Sequence, residues 1–226
     1  GNQPNSLIGD YCTIYAGGDK TYTGTILTTS YSTHVFDDVM EKGGKFDDLI
    51  IRIDEVVKTE KDILALGIRN GDFVAIDPKT TVTKNGFIKS RHLDDKISVA
   101  IIFTVFKMFI DNGLVPDNTV KFIISTYEEV GHGASYIPGD IEELIAVDMG
   151  CIGKDLACTE YDVSICAKDS SGPYDYFMTK ELVAIAEKEK LNYAVDIYPF
   201  YGSDASAALR GGNNIKAALI GPGVHA

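Results

Sequence analysis

The sequence predicts an α/β protein in which a β-rich N-terminal part precedes a layer of alternating strands and helices. Three observations carry this. Residues 1–91 break into short apolar runs separated by turn residues. Beyond residue 92, β-branched runs alternate with helical patterns, which implies helices covering a mostly parallel sheet. The 226 residues are 45% hydrophobic and 24% charged, the composition of a globular chain of one or two domains.

Each element has its own signal. Residues 12–15 and 21–28 flank Gly17, Gly18 and Asp19, the pattern of a hairpin. Residues 35–41, with Asp37 and Asp38, read as a short helix or loop. Residues 49–53 and 73–76 are short apolar runs. Residues 80–82 and 87–89 flank Asn85-Gly86, a strong hairpin signal. Short strands at this spacing predict a small barrel or sandwich. A boundary falls near residues 86–91. Residues 97–110 are apolar almost all round and predict a buried helix, ended by Asp111-Asn112-Gly113. The stretch is too short to span a bilayer, and Lys107 breaks it. Residues 120–126 are β-branched and predict a buried strand. Residues 144–148, 163–167, 194–198 and 215–220 predict further strands. Residues 179–191 predict a helix capped by Thr179, and residues 205–210 a shorter one.

Charge and cysteine exclude several functions. The net charge is −12. Residues 1–91 carry 13 acidic against 11 basic side chains, and residues 92–226 carry 20 against 10. Such an excess argues against a nucleic-acid grip or docking on an anionic membrane. The four cysteines lack C-x-x-C pairing and read as small buried apolar residues in a reducing, cytoplasmic setting.

The acid excess includes a constellation. Asp94-Asp95-Lys96 precedes the long apolar helix, Glu128-Glu129 follows residues 120–126, and Asp148 closes residues 144–148. In open α/β sheets, sites form beyond the carboxyl ends of strands. Packed carboxylates repel and raise one another's pKa values, so such a cluster is tolerable where protons or cations are held. Oxygen ligands with a few histidines suit zinc, cobalt or manganese. Adjacent Glu128 and Glu129 can fan apart, one ligating and one free as a general base. Singly, each motif is more often an N-cap, a solvated loop or a turn residue; their order and spacing together leave both readings open.

Arg91-x-Leu93-Asp94-Asp95-Lys96, Thr126-x-Glu128-Glu129-Val130-Gly131 and Ala146-Val147-Asp148-Met149-Gly150 occur in that order. Together they resemble the metal-site motifs of the tetrahedral (glutamyl and deblocking) metallo-aminopeptidases, some of which are labelled endoglucanases. Gly71-Asp72-Phe73-Val74 with Asp77, Gly202-Ser203-Asp204-Ala205, Leu7-Ile8-Gly9 and residues 20–25 add to the resemblance, which covers essentially the whole chain. It implies two divalent metal ions, zinc or cobalt. Asp94 would bridge them, across an unusual cis peptide to Asp95. Asp95 would stand behind the ligands and orient one of them. Glu129 would bind one ion, Asp148 the other, and Glu128 would be the general base. Residues 1–88 would be an inserted, β-barrel-like dimerisation domain, and residues 89–226 the α/β metallopeptidase domain. The implied reaction is removal of N-terminal residues from peptides by a metal-bridging hydroxide. The implied partners are peptide substrates and further copies of the chain, dimers building to dodecamers.

The family also uses two histidine ligands, one upstream of the insert and one near the C-terminal end. The resemblance is therefore to a portion lacking the N-terminal segment and extreme C-terminus, binding metal weakly, with little activity and exposed apolar surface. His225 lies in the region of the second ligand but close to Pro222; His34, His92 and His132 match no ligand motif. Ser203-Asp204 lacks a G-x-S-x-G elbow and reads as a helix N-cap near the site, with a substrate-pocket role as the alternative. Arg91 reads as a structural ion pair rather than a partner for a substrate carboxylate, and Tyr127 and Tyr136 as core or surface residues rather than a pocket lining. Two rival functions stand beside the peptidase. One is a glycoside hydrolase working with two carboxylates, against which the absence of Trp weighs, softened by 12 Tyr. The other is a non-catalytic assembly module.

Overall fold

Side-chain alternation decides the N-terminal sheet. In the computed structural model, which describes residues 3–225, strands β1 (Tyr11–Ala16) and β2 (Lys20–Thr28) pair antiparallel from Tyr11 opposite Thr25 to Ala16 opposite Lys20. Cys12, Ile14 and Ala16 point into the core while Tyr11 and Tyr15 are exposed, the period of two that a half-buried strand imposes. Strand β3 (Leu49–Ile53) pairs with β2. A helix the sequence reading missed, α1 (Glu60–Leu66), follows; Thr59 and Asp62 form its capping box and Gly67 ends it at φ 97°. Strand β4 (Phe73–Ile76) pairs with β1. The sheet order is β3-β2-β1-β4. Strands β5 (Thr81–Val82) and β6 (Ile88–Lys89) form a separate ribbon. Among the described residues this is an open antiparallel sheet with a ribbon; its edge strands β3 and β4 do not close a barrel. Residues 35–41 contain one 3-10 turn, Val39–Glu41. Leu7, Cys12 and Ile26 form the small core. Buried Asp10 pairs with Lys79 and Arg91, the structural ion pair expected for Arg91.

The chain divides into two units between Arg91 and His92. The second unit opens with α2 (Leu93–Asp111), whose Asp94 and Asp95 have non-helical backbone angles. The helix stands where the sequence predicts it, but it is not buried: Ser98 is its one fully buried residue among those described, and Phe103 is 60% exposed. Residues 120–126 form no strand. Phe122, Ile123 and Ile124 are exposed, because no described strand offers them ladder hydrogen bonds and an apolar face. Phe122 instead meets Phe106 and Phe109 edge-on, at 5.4 and 6.2 Å.

The remaining elements are β7 (Glu143–Val147), β8 (Gly150–Cys151), β9 (Val163–Asp169), β10 (Gly172–Pro173), α3 (Tyr176–Lys188), β11 (Tyr193–Ile197), α4 (Asp204–Arg210) and β12 (Lys216–Val224). Helix α3 begins a turn before Thr179, because Asp175 caps it by accepting from the Phe177 and Met178 N–H groups at 3.0 and 2.9 Å. The sheet is mixed. Parallel pairings β7–β12, β8–β12 and β9–β11 outnumber antiparallel β9–β12 and β9–β10. Its core includes Ala146, Cys166, Tyr198, Ala205, Ala217 and Leu219. The alanines bring α4 close to the strands. Cys12, Cys158 and Cys166 are free and buried, packing as small apolar groups. Among the described residues no helix is long and apolar enough to cross a membrane.

Candidate metal and catalytic site

Asp148 follows the carboxyl end of β7 and is 6% exposed. Its N–H donates to the Ile220 carbonyl at 3.0 Å, and Gly221 of β12 lies so close that a Cβ there would collide with the Asp148 carbonyl oxygen. Burial pushes the Asp148 carboxyl up to about 6, Asp94 and Glu129 add to the rise, and the Tyr201 hydroxyl and Met149 N–H oppose it. Tyr201 donates to the Met149 carbonyl at 3.1 Å.

Asp94 and Asp95 stand in the first turn of α2, joined by a cis peptide bond. Asp95 Oδ1 is buried without a hydrogen-bond partner. Burial raises the Asp95 carboxyl to about 8, the Ser98 hydroxyl opposes the rise, and Asp148, Asp94 and Glu128 add to it. Glu128 and Glu129 sit in a 3-10 turn, Glu128–Val130, that Gly131 ends at φ 84°. Burial raises Glu128 to about 7, helped by Asp148, Asp204, Glu129 and Asp94. Glu129 is raised by burial and by Asp94, and Lys96 pulls it back.

These groups share a cavity of about 260 Å³ lined by Asp95, Lys96, Glu128, Glu129, Asp148 and Asp204, with apolar walls including Ile123 and Leu144. Four of the five sequence-predicted residues thus meet in one cavity. The fifth, Asp94, does not line it but lies close enough to raise Asp148, Glu129 and Glu128. Among the described lining residues Lys96 is the one cation. The site also includes Asp204, which lines the cavity, and Tyr201, which acts on Asp148. Asp204 was visible within Gly202-Ser203-Asp204-Ala205 as an N-cap neighbour, and Ser203 does cap α4, accepting from the Ser206 N–H. Nothing in the sequence signals Tyr201, whose place depends on the return of residues 198–203 to the end of β7.

The donor set fits divalent cations in kind and in charge. It offers carboxylate oxygens that raise one another's pKa values, and one is orphaned. It is not a closed shell: among the described residues no three His, Cys, Asp or Glu stand at coordination spacing. His132 stacks on Tyr127 at 4.9 Å, and His225 is exposed just beyond β12.

The chain is 48% identical over 223 residues to the protein named "Putative aminopeptidase YhfE" of Bacillus subtilis (strain 168), covering 98% of this chain. It spans 64% of that protein's length. Its fold matches the TET1 peptidase of Pyrococcus horikoshii with a TM-score of 0.80 at 22% identity, over 98% of this chain and 65% of that one. It matches a TET aminopeptidase of the marine sediment archaeon Thaumarchaeota archaeon SCGC AB-539-E09 with a TM-score of 0.80 at 18% identity, over 98% and 64%. An endoglucanase of Thermotoga maritima shares the fold more loosely, with a TM-score of 0.59 at 14% identity, over 98% and 60%. Residues 1–226, the entire length, match the M42 glutamyl aminopeptidase family. The chain belongs to that family.

Proposed function

We propose that the protein carrying this chain is a metal-dependent aminopeptidase, hydrolysing N-terminal residues from peptides. The observation that carries the reading is the convergence of Asp95, Glu128, Glu129 and Asp148 on one cavity, in a chain of the M42 family. Asp94, Glu129 and Asp148 would hold two divalent ions, zinc or cobalt, and Asp95 would orient a ligand from behind. Bound there, such ions supply carbonyl polarisation and a nucleophile at neutral pH. Glu128 is the general base. Burial, and then the acids around it, hold its carboxyl near 7, so it takes a proton from attacking water and passes it to the departing amine. Residues 92–226 hold this chemistry, and residues 1–88 serve as the dimerisation insert. The Pyrococcus horikoshii TET1 peptidase can assemble into a tetrahedron or a large octahedral shell; self-association of this chain is proposed on that likeness. Free, buried cysteines support a reducing, cytoplasmic location.

Metal removal tests the reading. Dialysis against a chelator should abolish release of N-terminal residues from short peptides, and zinc or cobalt should restore it. Activity that survives chelation, or appears on glucans and not on peptides, would overturn it.

A further inference from the structure

Within the bend that carries Glu128 and Glu129, the Gly131 N–H donates to the Glu128 carbonyl at 2.7 Å and the His132 N–H to the Tyr127 carbonyl at 3.1 Å, but no ladder ties the bend to the sheet. Residues 114–127 pair with no described strand, and the turn itself is three residues long. Helix α4 lies beside the bend and holds it. One oxygen of the Asp204 carboxylate accepts from the Ser125 hydroxyl, and the other from the Ala134 N–H at 3.0 Å. Those two partners bracket Glu128-Glu129 in the chain. Gly133 makes the close approach possible. A Cβ at that position would stand 2.6 Å from Asp204 Oδ1 and 2.8 Å from both the Glu128 nitrogen and Ser125 Oγ. Near the other end of α4, the Arg210 guanidinium donates to the Gly131 carbonyl at 3.4 Å.

Asp204 is itself held from behind. Ser203 caps α4, and its hydroxyl meets the Tyr174 hydroxyl at 2.8 Å. Tyr174 donates to Asp169 at 2.6 Å, and Asp169, fully buried, also accepts from the Ser171 N–H at 2.7 Å. Buried networks satisfied in this way specify one geometry. Hydrogen bonds to a carboxylate are the stronger kind, and both oxygens of Asp204 are engaged in holding the bend.

We propose that Asp204 is a positioning residue: it clamps residues 125–134 at both ends and thereby fixes the place of the Glu128 carboxyl. The consequence for turnover rests on the reading of Glu128 as the base, whereas the clamp does not. Hydrogen exchange and peptide kinetics on the full protein, loaded with cobalt, separate the two. In Asp204→Ala, amides of residues 128–134 should exchange about tenfold faster or more, with β9 and β11 unchanged. The kcat for peptides should fall about tenfold or more while KM stays within about twofold. Asp204→Asn keeps an acceptor for Ala134 and offers an N–H to Ser125, so it should return exchange to within about threefold of wild type. Should Asp204→Ala fail to fold, Ser125→Ala removes one end of the clamp and carries the same comparison. Unchanged exchange at residues 128–134 in the folded variant would overturn the proposal. A wild-type protein that hydrolyses no peptide while the exchange result holds would instead overturn the functional reading.

Discussion

Asp95 carries a buried oxygen with no hydrogen-bond partner, which costs free energy unless the carboxyl holds a proton or faces a cation. Burial raises its pKa to about 8, against about 4 in an unfolded chain. Between those values the folded protein binds more protons than the unfolded one, so the Asp95 contribution to stability falls as pH rises. In chelator, Asp95→Asn should therefore gain stability over wild type as pH goes from about 4 to about 8, then level off. Urea midpoints at several pH values measure this, and a difference independent of pH would contradict it. Divalent metal should shrink the advantage of the variant. Singly, Asp94, Asp95, Glu128, Glu129 and Asp148 read as cap, loop or turn residues, and they were legible as a candidate site only through the order of the three acidic motifs and the resemblance those carry. Tyr201 and Lys96 were not, since a tyrosine or lysine in a loop or first helical turn is ordinary until the fold puts it beside an acid.

The elements show where local signals suffice. Residues 49–53 and 73–76 are strands as read, since each is a short apolar run between turn residues. The helix over 97–110 formed, but its burial did not follow, because periodicity fixes a helix and neighbours decide what covers it. The run 120–126 has strand composition and no strand partner among the described residues, and a ladder needs both. Helix α1 was overlooked although Thr59-x-x-Asp62 and Gly67 mark its ends. Strand β12 carries a constraint that sequence hides altogether. Gly221 packs on the Asp148 carbonyl with no room for a Cβ, so Gly221→Ala must push β12 off the end of β7. We expect a loss of about 3 kcal/mol or more, or failure to accumulate as folded protein, measured by denaturant unfolding. A variant as stable as wild type would show that the two strands separate freely.

At the scale of the molecule, the α/β class and the family were both legible, the first from alternation of strands and helices, the second from three acidic motifs in order. The barrel-like closure expected of residues 1–88 is not seen; the described strands form an open sheet. Charge takes on a sharper meaning. The acid excess of residues 92–226 includes every carboxylate of the cavity, a cluster that is tolerable where protons or cations are held. The cavity, however, is not a closed coordination shell, and the chain spans 64% of its Bacillus subtilis relative. The account therefore turns on whether Glu128 is the proton carrier of a metal-dependent peptidase. The most direct test measures metal content and aminoacyl-anilide hydrolysis on wild-type protein and Glu128→Gln side by side, both loaded with cobalt. The account predicts equal metal content and a kcat lower by about 100-fold or more in the variant. Equal hydrolysis by the two proteins would contradict it.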